Sequence, residues 1–217
     1  MMARGRRVPS DAAHELRSPL AALKVQTDVA QLSFDDPGAQ SKALGQLHAG
    51  IDRASRLVDQ LLTLSRLDSL DNLDDVEPVM MADLLQSAVL DIWHPAQQAG
   101  IDIRLNVNAP EVMRHGQPLL LSLLARNLLD NAVRYSPRGS VVDVTLHTQS
   151  FTVRDNGPGI SSDALARLGE RFYRPPGQDA TGSGLGLSIV KRIATLHGMS
   201  VSLGNAPEGG FEVTVSW

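Results

Sequence analysis

The sequence predicts an α+β protein in two parts: a long helical hairpin, then a layered domain in which helices cover a largely antiparallel sheet. Three observations predict it. Aliphatic residues supply most of the 42% hydrophobic content, while Phe, Trp and Tyr together make 4% of the 217 residues, a balance that favours helix over an all-β sandwich. An apolar seam stepping by three and four residues occurs twice, on either side of a turn-forming stretch. Beyond an acidic stretch the pattern changes to helices mixed with adjacent strand-like runs.

The first helix is expected from about Ser10 to Leu32, with Ala13, Leu16, Leu20, Leu23, Thr27 and Ala30 on its seam and Ser10 and Asp11 offering the N-cap. Residues 33–38 (Ser-Phe-Asp-Asp-Pro-Gly) break it, and Leu44, Leu47, Ile51, Ala54, Val58 and Leu61 then repeat the alternation. Two helices alone cannot enclose a core, so the hairpin is expected to pair with a second copy as a dimeric four-helix bundle. Residues 1–70 are therefore read as a dimerisation domain, 71–78 as an acidic linker ending at Pro78, and 79–217 as a second domain. That domain should hold a helix from Met81 to Gln98, strands near 101–107 and 111–115, and a helix from 117 to about 135. Strands near 140–148 and 150–155, a short helix near 161–170, a Gly/Pro-rich loop at 173–183, a helix at 184–197 and strands at 200–205 and 210–217 complete it.

With 20 basic against 24 acidic residues the net charge is -4, which gives no broad positive field for a nucleic-acid backbone or an anionic membrane, so no nucleic-acid partner is expected. The absence of cysteine removes disulfides, thiolate metal sites and cysteine nucleophiles. No run of about 18 apolar residues occurs, and the first residues lack the apolar core of a secretory signal, so the chain as given is expected to be cytosolic. Its abrupt start, Arg-Gly-Arg-Arg at residues 4–7 leading into a helix, reads as part of a longer protein.

Chemistry concentrates in a few places. Asn127 and Asn131 lie one turn apart on a Leu-rich helix, and Arg134 follows three residues later on the same face. An amide oxygen is a hard, neutral ligand suited to Mg²⁺ bridging phosphates, and a nearby guanidinium suits the phosphates themselves. On spacing alone, an ordinary solvated face fits equally well. Asp155 closes a strand before Asn-Gly-Pro-Gly, where it could accept a hydrogen bond from an exocyclic amine such as that of adenine; a plain turn is the simpler alternative. Gly182, Gly184 and Gly186 open a helix and could free amides to cradle phosphates, but no Lys follows them as in a Walker loop. In the first helix, His14 stands two residues before the seam position Leu16, which turns it onto solvent, and Glu15 can take or polarise its proton. Pro19 lacks the amide that would bond the Glu15 carbonyl, so a kink is expected there. The second histidine of a His-Glu-Xaa-Xaa-His zinc motif is absent, and His48, His94, His115, His147 and His197 read as incidental surface histidines.

The order of these features carries more than each alone. An Asn-bearing helix, Asp-Asn-Gly-Pro-Gly at 155–159, Glu-Arg-Phe-Tyr-Arg at 170–174 and Gly-Ser-Gly-Leu-Gly at 182–186 resemble the N, G1, F and G2 boxes of the GHKL ATP-binding fold. His-Glu-Leu-Arg-Ser-Pro at 14–19 resembles the H box of the HisKA-type sensor histidine kinases, and together the motifs cover nearly the whole chain. The resemblance implies a GHKL-type α/β sandwich after the hairpin, with ATP and Mg²⁺ as cofactors. It assigns Asn127 and Asn131 to Mg²⁺ and the triphosphate, Arg134 to the phosphates and Tyr135 to the nucleotide wall. Asp155, with Gly157 and Gly159 in its loop, falls to adenine, and Gly182, Gly184 and Gly186 to the hinge of a mobile lid. It further implies autophosphorylation of His14, transfer to an aspartate of a response-regulator receiver domain, and a homodimer. The parent protein would sit in the bacterial inner membrane, attached through an upstream region, with this part facing the cytoplasm. Where the family's H box usually carries Thr or Asn four residues after the histidine, this chain has Ser18, the position linked to phosphatase activity. A GHKL ATPase acting as a conformational clamp and a non-catalytic dimeric scaffold remain as alternatives.

Overall fold

In a computed structural model of the chain the described residues are 7–33, 35–176 and 182–217, with side chains described from Leu16 onward apart from Ser18. The chain divides into two compact units, Met1–Ser65 and Arg66–Trp217.

The first unit holds α1 (Arg7–Leu32) and most of α2 (Pro37–Asp68). Because α1 already begins at Arg7, Ser10 and Asp11 lie inside the helix instead of capping it. Pro9 is tolerated in that first turn, where no N–H has an intrahelical partner to lose. The helix runs on through Pro19 to Leu32. Asp36 caps α2: its Oδ1 accepts from the N–H groups of Gly38 and Ala39, both at 3.0 Å, and Pro37 takes the first helical position. Gly50 allows the two helices to approach closely, since a Cβ there would come within 2.7 Å of Leu23 Cδ2. Of the predicted seam, Ala30 is buried, but Leu20, Leu44, Ile51 and Val58 stay 40–59% exposed in the single chain.

The second unit begins with the last turn of α2. Arg192 holds it, Nε donating to Leu67 O at 3.1 Å and Nη2 to Leu70 O at 2.6 Å, while Arg171 Nη2 meets both Asp68 oxygens at 2.8 Å. Strand β1 (Glu77–Met80) pairs antiparallel with β3 (Met113–Gly116). Glu77 and Pro78, read as linker from their acidic and proline context, are thus the first residues of a strand whose partner lies more than thirty positions on. Between these strands come α3 (Met81–Ala99), which stops where the Gly100 N–H bonds back to Ala96 and Gln97, and β2 (Asp102–Val107). After β3 follow α4 (Pro118–Tyr135), β4 (Val141–Leu146), β5 (Ser150–Arg154), α5 (Ser162–Leu165), α6 (Gly186–Leu196), β6 (Ser200–Asn205) and β7 (Phe211–Ser216).

The main sheet has the order β2-β4-β5-β7-β6, with β2 and β4 parallel and every other pair antiparallel. The parallel pair needs a crossover, which β3 and α4 supply. Burial alternates along β4 and β5, and Val142, Val144, Leu146, Phe151 and Val153 are buried, as expected for a sheet covered on one face. Helices α3, α4 and α6 contribute Leu85, Ile92, Leu121, Leu124, Leu128, Leu129, Ile189 and Ile193 to the buried core, which gives two layers. The helix expected over 161–170 is a single turn, α5, followed by turns that pass through positive φ at Gly169 and Phe172. The last helix begins at Gly186, not 184, because Gly184 adopts φ +70.

Candidate functional site

The site is built on the C-terminal half of α4. Its apolar residues Leu121, Leu124, Ala125, Leu128, Leu129 and Ala132 are buried, and Asn127, Asn131 and Arg134 share one narrow stripe beside them. Asn127 is unusual in being itself only 8% exposed. Its Nδ2 donates to Leu123 O at 2.8 Å, which fixes the amide and commits Oδ1 as the acceptor atom. The N-terminus of α6 comes up against this stripe: a Cβ on Gly186 would lie 3.3 Å from Asn127 Oδ1 and 3.3 Å from Asn131 Nδ2. A side chain at this position would crowd the two amides. One turn further along α4, the approach to α6 passes Arg134 and Tyr135, with Gly182 placed so that a Cβ would be 3.0 Å from an Arg134 guanidinium nitrogen and 3.6 Å from the Tyr135 hydroxyl.

The loop after β5 closes on the end of the same helix. Asp155 is 4% exposed, and its Oδ1 accepts from the backbone N–H of Gly157 at 2.8 Å and of Phe211 at 3.1 Å. Burial raises its carboxyl above the ordinary value of 3.8, against the lowering effect of those two bonds. Gly157 is packed so that a Cβ would stand 2.7 Å from Tyr135 O and 2.9 Å from Asp155 Oδ1. The structure therefore brings together Asn127, Asn131 and Gly186, then Arg134, Tyr135 and Gly182, then Asp155 and Gly157. Gly159 lies further out, against Asn205.

His14, Glu15 and Ser18 lie on α1 in the first unit, and their side chains are outside the described residues. Of the Gly/Pro-rich loop expected at 173–183, residues 177–181 are also outside them. Its stem is described: Phe172 N–H donates to Gly184 O at 3.1 Å, and the Phe172 backbone occupies the place a Cβ on Gly184 would need. In the Glu-Arg-Phe-Tyr-Arg stretch, Glu170 pairs with Arg167 at 3.1 Å and Arg167 lies 4.1 Å over the Tyr173 ring, so these side chains hold the stem together.

In the sequence His197 reads as an incidental surface histidine. It is half-buried, with Nε2 accepting from Gln117 N–H at 3.1 Å and Nδ1 2.8 Å from Ile193 O, so it ties the start of α4 to the end of α6. No pattern in the sequence singles out Asn205. Both bind partners far along the chain, and nothing local in the sequence marks them.

Among the described residues no cluster of His, Asp and Glu could hold a metal ion. The fixed Asn127 Oδ1 and its neighbour Asn131 form instead a neutral amide donor set, which fits Mg²⁺ shared with phosphate oxygens. No helix among the described residues is long and apolar enough to cross a membrane.

Residues 116–217 match the family described as histidine kinase-, DNA gyrase B-, and HSP90-like ATPase, and residues 6–70 match the His Kinase A (phospho-acceptor) domain. The chain is 76% identical to Sensor protein QseC of Salmonella typhimurium over 217 residues, 100% of this chain and 48% of that protein. It spans about half the length of the curated relatives it matches. The solved structure of the cytoplasmic segment of histidine kinase QseC is 62% identical, with a TM-score of 0.57 over 77% of this chain and 93% of that one. The structure of full-length ShkA in complex with AMPPNP is 25% identical, with a TM-score of 0.67 over 98% of this chain and 45% of that one.

Proposed function

The chain belongs to the sensor histidine kinases, and on that premise we propose that it is an ATP-dependent protein histidine kinase acting as the cytoplasmic transmitter of a two-component system. The observation that carries the reading is the convergence of Asn131 and Gly186, of Arg134 and Gly182, and of Asp155 and Gly157 on one half of α4. A nucleotide laid along that helix meets a buried carboxylate for an exocyclic amine at one end. At the other it meets two amides and a helix N-terminus for its phosphates, with the Arg134 guanidinium between the two ends.

Asn131, together with Asn127, would hold Mg²⁺, which when bound neutralises charge on the β- and γ-phosphates. In the transfer step a ring nitrogen of His14 attacks the γ-phosphorus and the bond from γ-phosphorus to the bridging oxygen breaks. ADP leaves, and Glu15 takes the proton from the other ring nitrogen. Phosphohistidine then passes its phosphoryl group to an aspartate of a response-regulator receiver domain. Ser18, one helical turn beyond His14, is suited to orient a water for hydrolysis of that phosphoaspartate, in which the water oxygen bonds to phosphorus, the aspartyl O–P bond breaks and inorganic phosphate leaves. The match of residues 6–70 to a phospho-acceptor domain favours this reading over a conformational clamp. The 62% identity to a cytoplasmic segment supports a place on the cytoplasmic side of a membrane-bound parent.

The test is incubation with γ-labelled ATP and Mg²⁺. Wild-type protein should acquire an acid-labile, base-stable label. His14→Ala should acquire none while binding ADP as tightly as wild type; a labelled His14→Ala protein overturns the assignment.

A further inference from the structure

Loop 155–161 joins β5 to α5 and carries Asp155, Gly157 and Gly159. Its shape decides where the buried carboxylate and the following amides stand. Neither end of the loop is fixed by its own neighbours alone: both are gripped by a single cross-strand pair of the last hairpin, Asn205 on β6 and Phe211 on β7.

At the first end, Phe211 uses its backbone. Asp155 N–H donates to Phe211 O at 2.9 Å, and Phe211 N–H donates to Asp155 Oδ1 at 3.1 Å, so main chain and carboxylate are held by the same residue. Gly210, with φ +89, permits this approach, because a Cβ there would collide with the Asp155 carbonyl. At the second end, Asn205 uses its side chain. Ile160 N–H donates to Asn205 Oδ1 at 2.8 Å, and Asn205 Nδ2 donates to Ile160 O at 2.7 Å. The primary amide thus pairs with the backbone of Ile160 as a strand would. Only one orientation of the amide satisfies both bonds, so its oxygen and nitrogen are assigned by the geometry. Gly159 leaves room for it, since a Cβ at that position would lie 3.0 Å from Asn205 Oδ1.

Away from these bonds the loop and the hairpin turn part, leaving an open cleft of about 440 Å³ between Pro158–Ser161 and Asn205–Gly210. Side-chain packing therefore does not fill the space between them, and the polar bonds set the separation. From this geometry we propose that Asn205 is a positioning residue for nucleotide recognition: its two-way clamp on Ile160, with Phe211 on Asp155, holds the loop in the form in which the Asp155 carboxylate can meet the nucleotide. The proposal rests on the nucleotide-binding reading above and deepens it. It places a determinant of adenine binding 45 residues beyond the loop it shapes, in a hairpin outside the four nucleotide motifs.

The test compares wild type, Asn205→Ala and Asn205→Asp. Aspartate keeps an acceptor for Ile160 N–H but cannot donate to Ile160 O; alanine does neither. Amide exchange on the nucleotide-free proteins reads the clamp itself, and Ile160 N–H should lose its protection in Asn205→Ala and keep part of it in Asn205→Asp. Calorimetry with ADP and GDP reads the consequence. ADP affinity should fall about three- to tenfold in Asn205→Ala, less in Asn205→Asp, with a smaller preference for ADP over GDP. A destabilised but otherwise neutral variant would show a lower melting temperature with an unchanged ADP-to-GDP ratio, and that result overturns the positioning role. Unchanged Ile160 protection in Asn205→Ala overturns the clamp. Wild-type protein that binds no ADP overturns the functional reading and the proposal with it, and is told apart from the other failures because it appears before any substitution is made.

Discussion

A carboxylate that accepts two backbone N–H bonds is ordinarily stabilised in its charged form, yet burial outweighs both bonds at Asp155 and its carboxyl sits above 3.8. No charged partner contributes to that balance. An amine donated by adenine would favour the ionised form, so adenine binding should release a proton at pH values near the raised pKa. Affinity for ADP should accordingly weaken as pH falls through it. Asp155→Asn keeps an oxygen for the Gly157 and Phe211 amides but replaces the second oxygen with a donor. It should weaken ADP binding by about 1–3 kcal/mol, abolish the acid-side pH dependence, and narrow or reverse the preference over GDP, whose ring presents an acceptor at that position. Calorimetric titration of both nucleotides checks this, and an unchanged preference in Asp155→Asn would remove the adenine role. In the sequence Asp155 shows only as a carboxylate at a strand end before Asn-Gly-Pro-Gly, which a plain turn explains as simply, and its adenine role comes from the order of the motifs around it. Asn205 and His197 were not legible, because an Asn after Gly204 or a His before Gly198 looks like any turn until its partners, 45 and 80 positions away, are known.

At the scale of elements, α4 and α6 pack antiparallel with a fastening at each end. Gly186 meets Asn127 and Asn131 at one end, and His197 joins Gln117 to Ile193 at the other. The second fastening requires a neutral ring, since Nε2 must accept. Burial agrees with that requirement, holding His197 below 6.5 against the opposing bond to Ile193. The folded state therefore takes up the proton less readily than the unfolded chain. The stability this contributes is full above pH 6.5 and declines as pH falls below it. Thermal melts of wild type should drop between neutral pH and pH values below 6.5 more steeply than those of His197→Gln, which presents an oxygen to Gln117 but does not titrate. His197→Ala should cost about 1 kcal/mol at neutral pH, and equal pH slopes in wild type and His197→Gln would show that the ring is not the titrating group. The long helices were legible from their period, whereas the helix expected over 161–170 is a single turn. What escaped was pairing: β1 is four residues long and contains Pro78, and the β2–β4 parallel register depends on a crossover that no local pattern encodes.

At the scale of the whole molecule, the hairpin leaves apolar surface uncovered that a second copy would bury. Leu44, Ile51 and Val58 stand seven residues apart on α2, the spacing of one coiled-coil stripe, and are 45%, 45% and 40% exposed, with Leu20 on α1 at 59% and Leu62 on α2 at 53%. A soluble chain seldom presents aliphatic residues in such a row without a partner, and a two-helix unit has no other layer to cover them. Leu44, Ile51 and Val58 are three positions of the seam read from the sequence, whereas the positions that α2 buries in the single chain, Ala43, Leu57 and Leu64, stand outside that seam. We predict that the protein is a dimer held by this stripe. Ile51→Glu would set a carboxylate, and by symmetry its twin, into the centre of the interface, at a cost of several kcal/mol for burying unpaired charge, which is two or more orders of magnitude in dissociation constant. Sedimentation equilibrium should find wild type dimeric and Ile51→Glu largely monomeric at micromolar concentration. ADP binding should be unchanged, because Asn131, Asp155 and Gly186 belong to the second unit. Asp52→Ala, beside the stripe but off its seven-residue spacing, serves as the control and should remain dimeric. If Ile51→Glu sediments as wild type does, the stripe is not the interface.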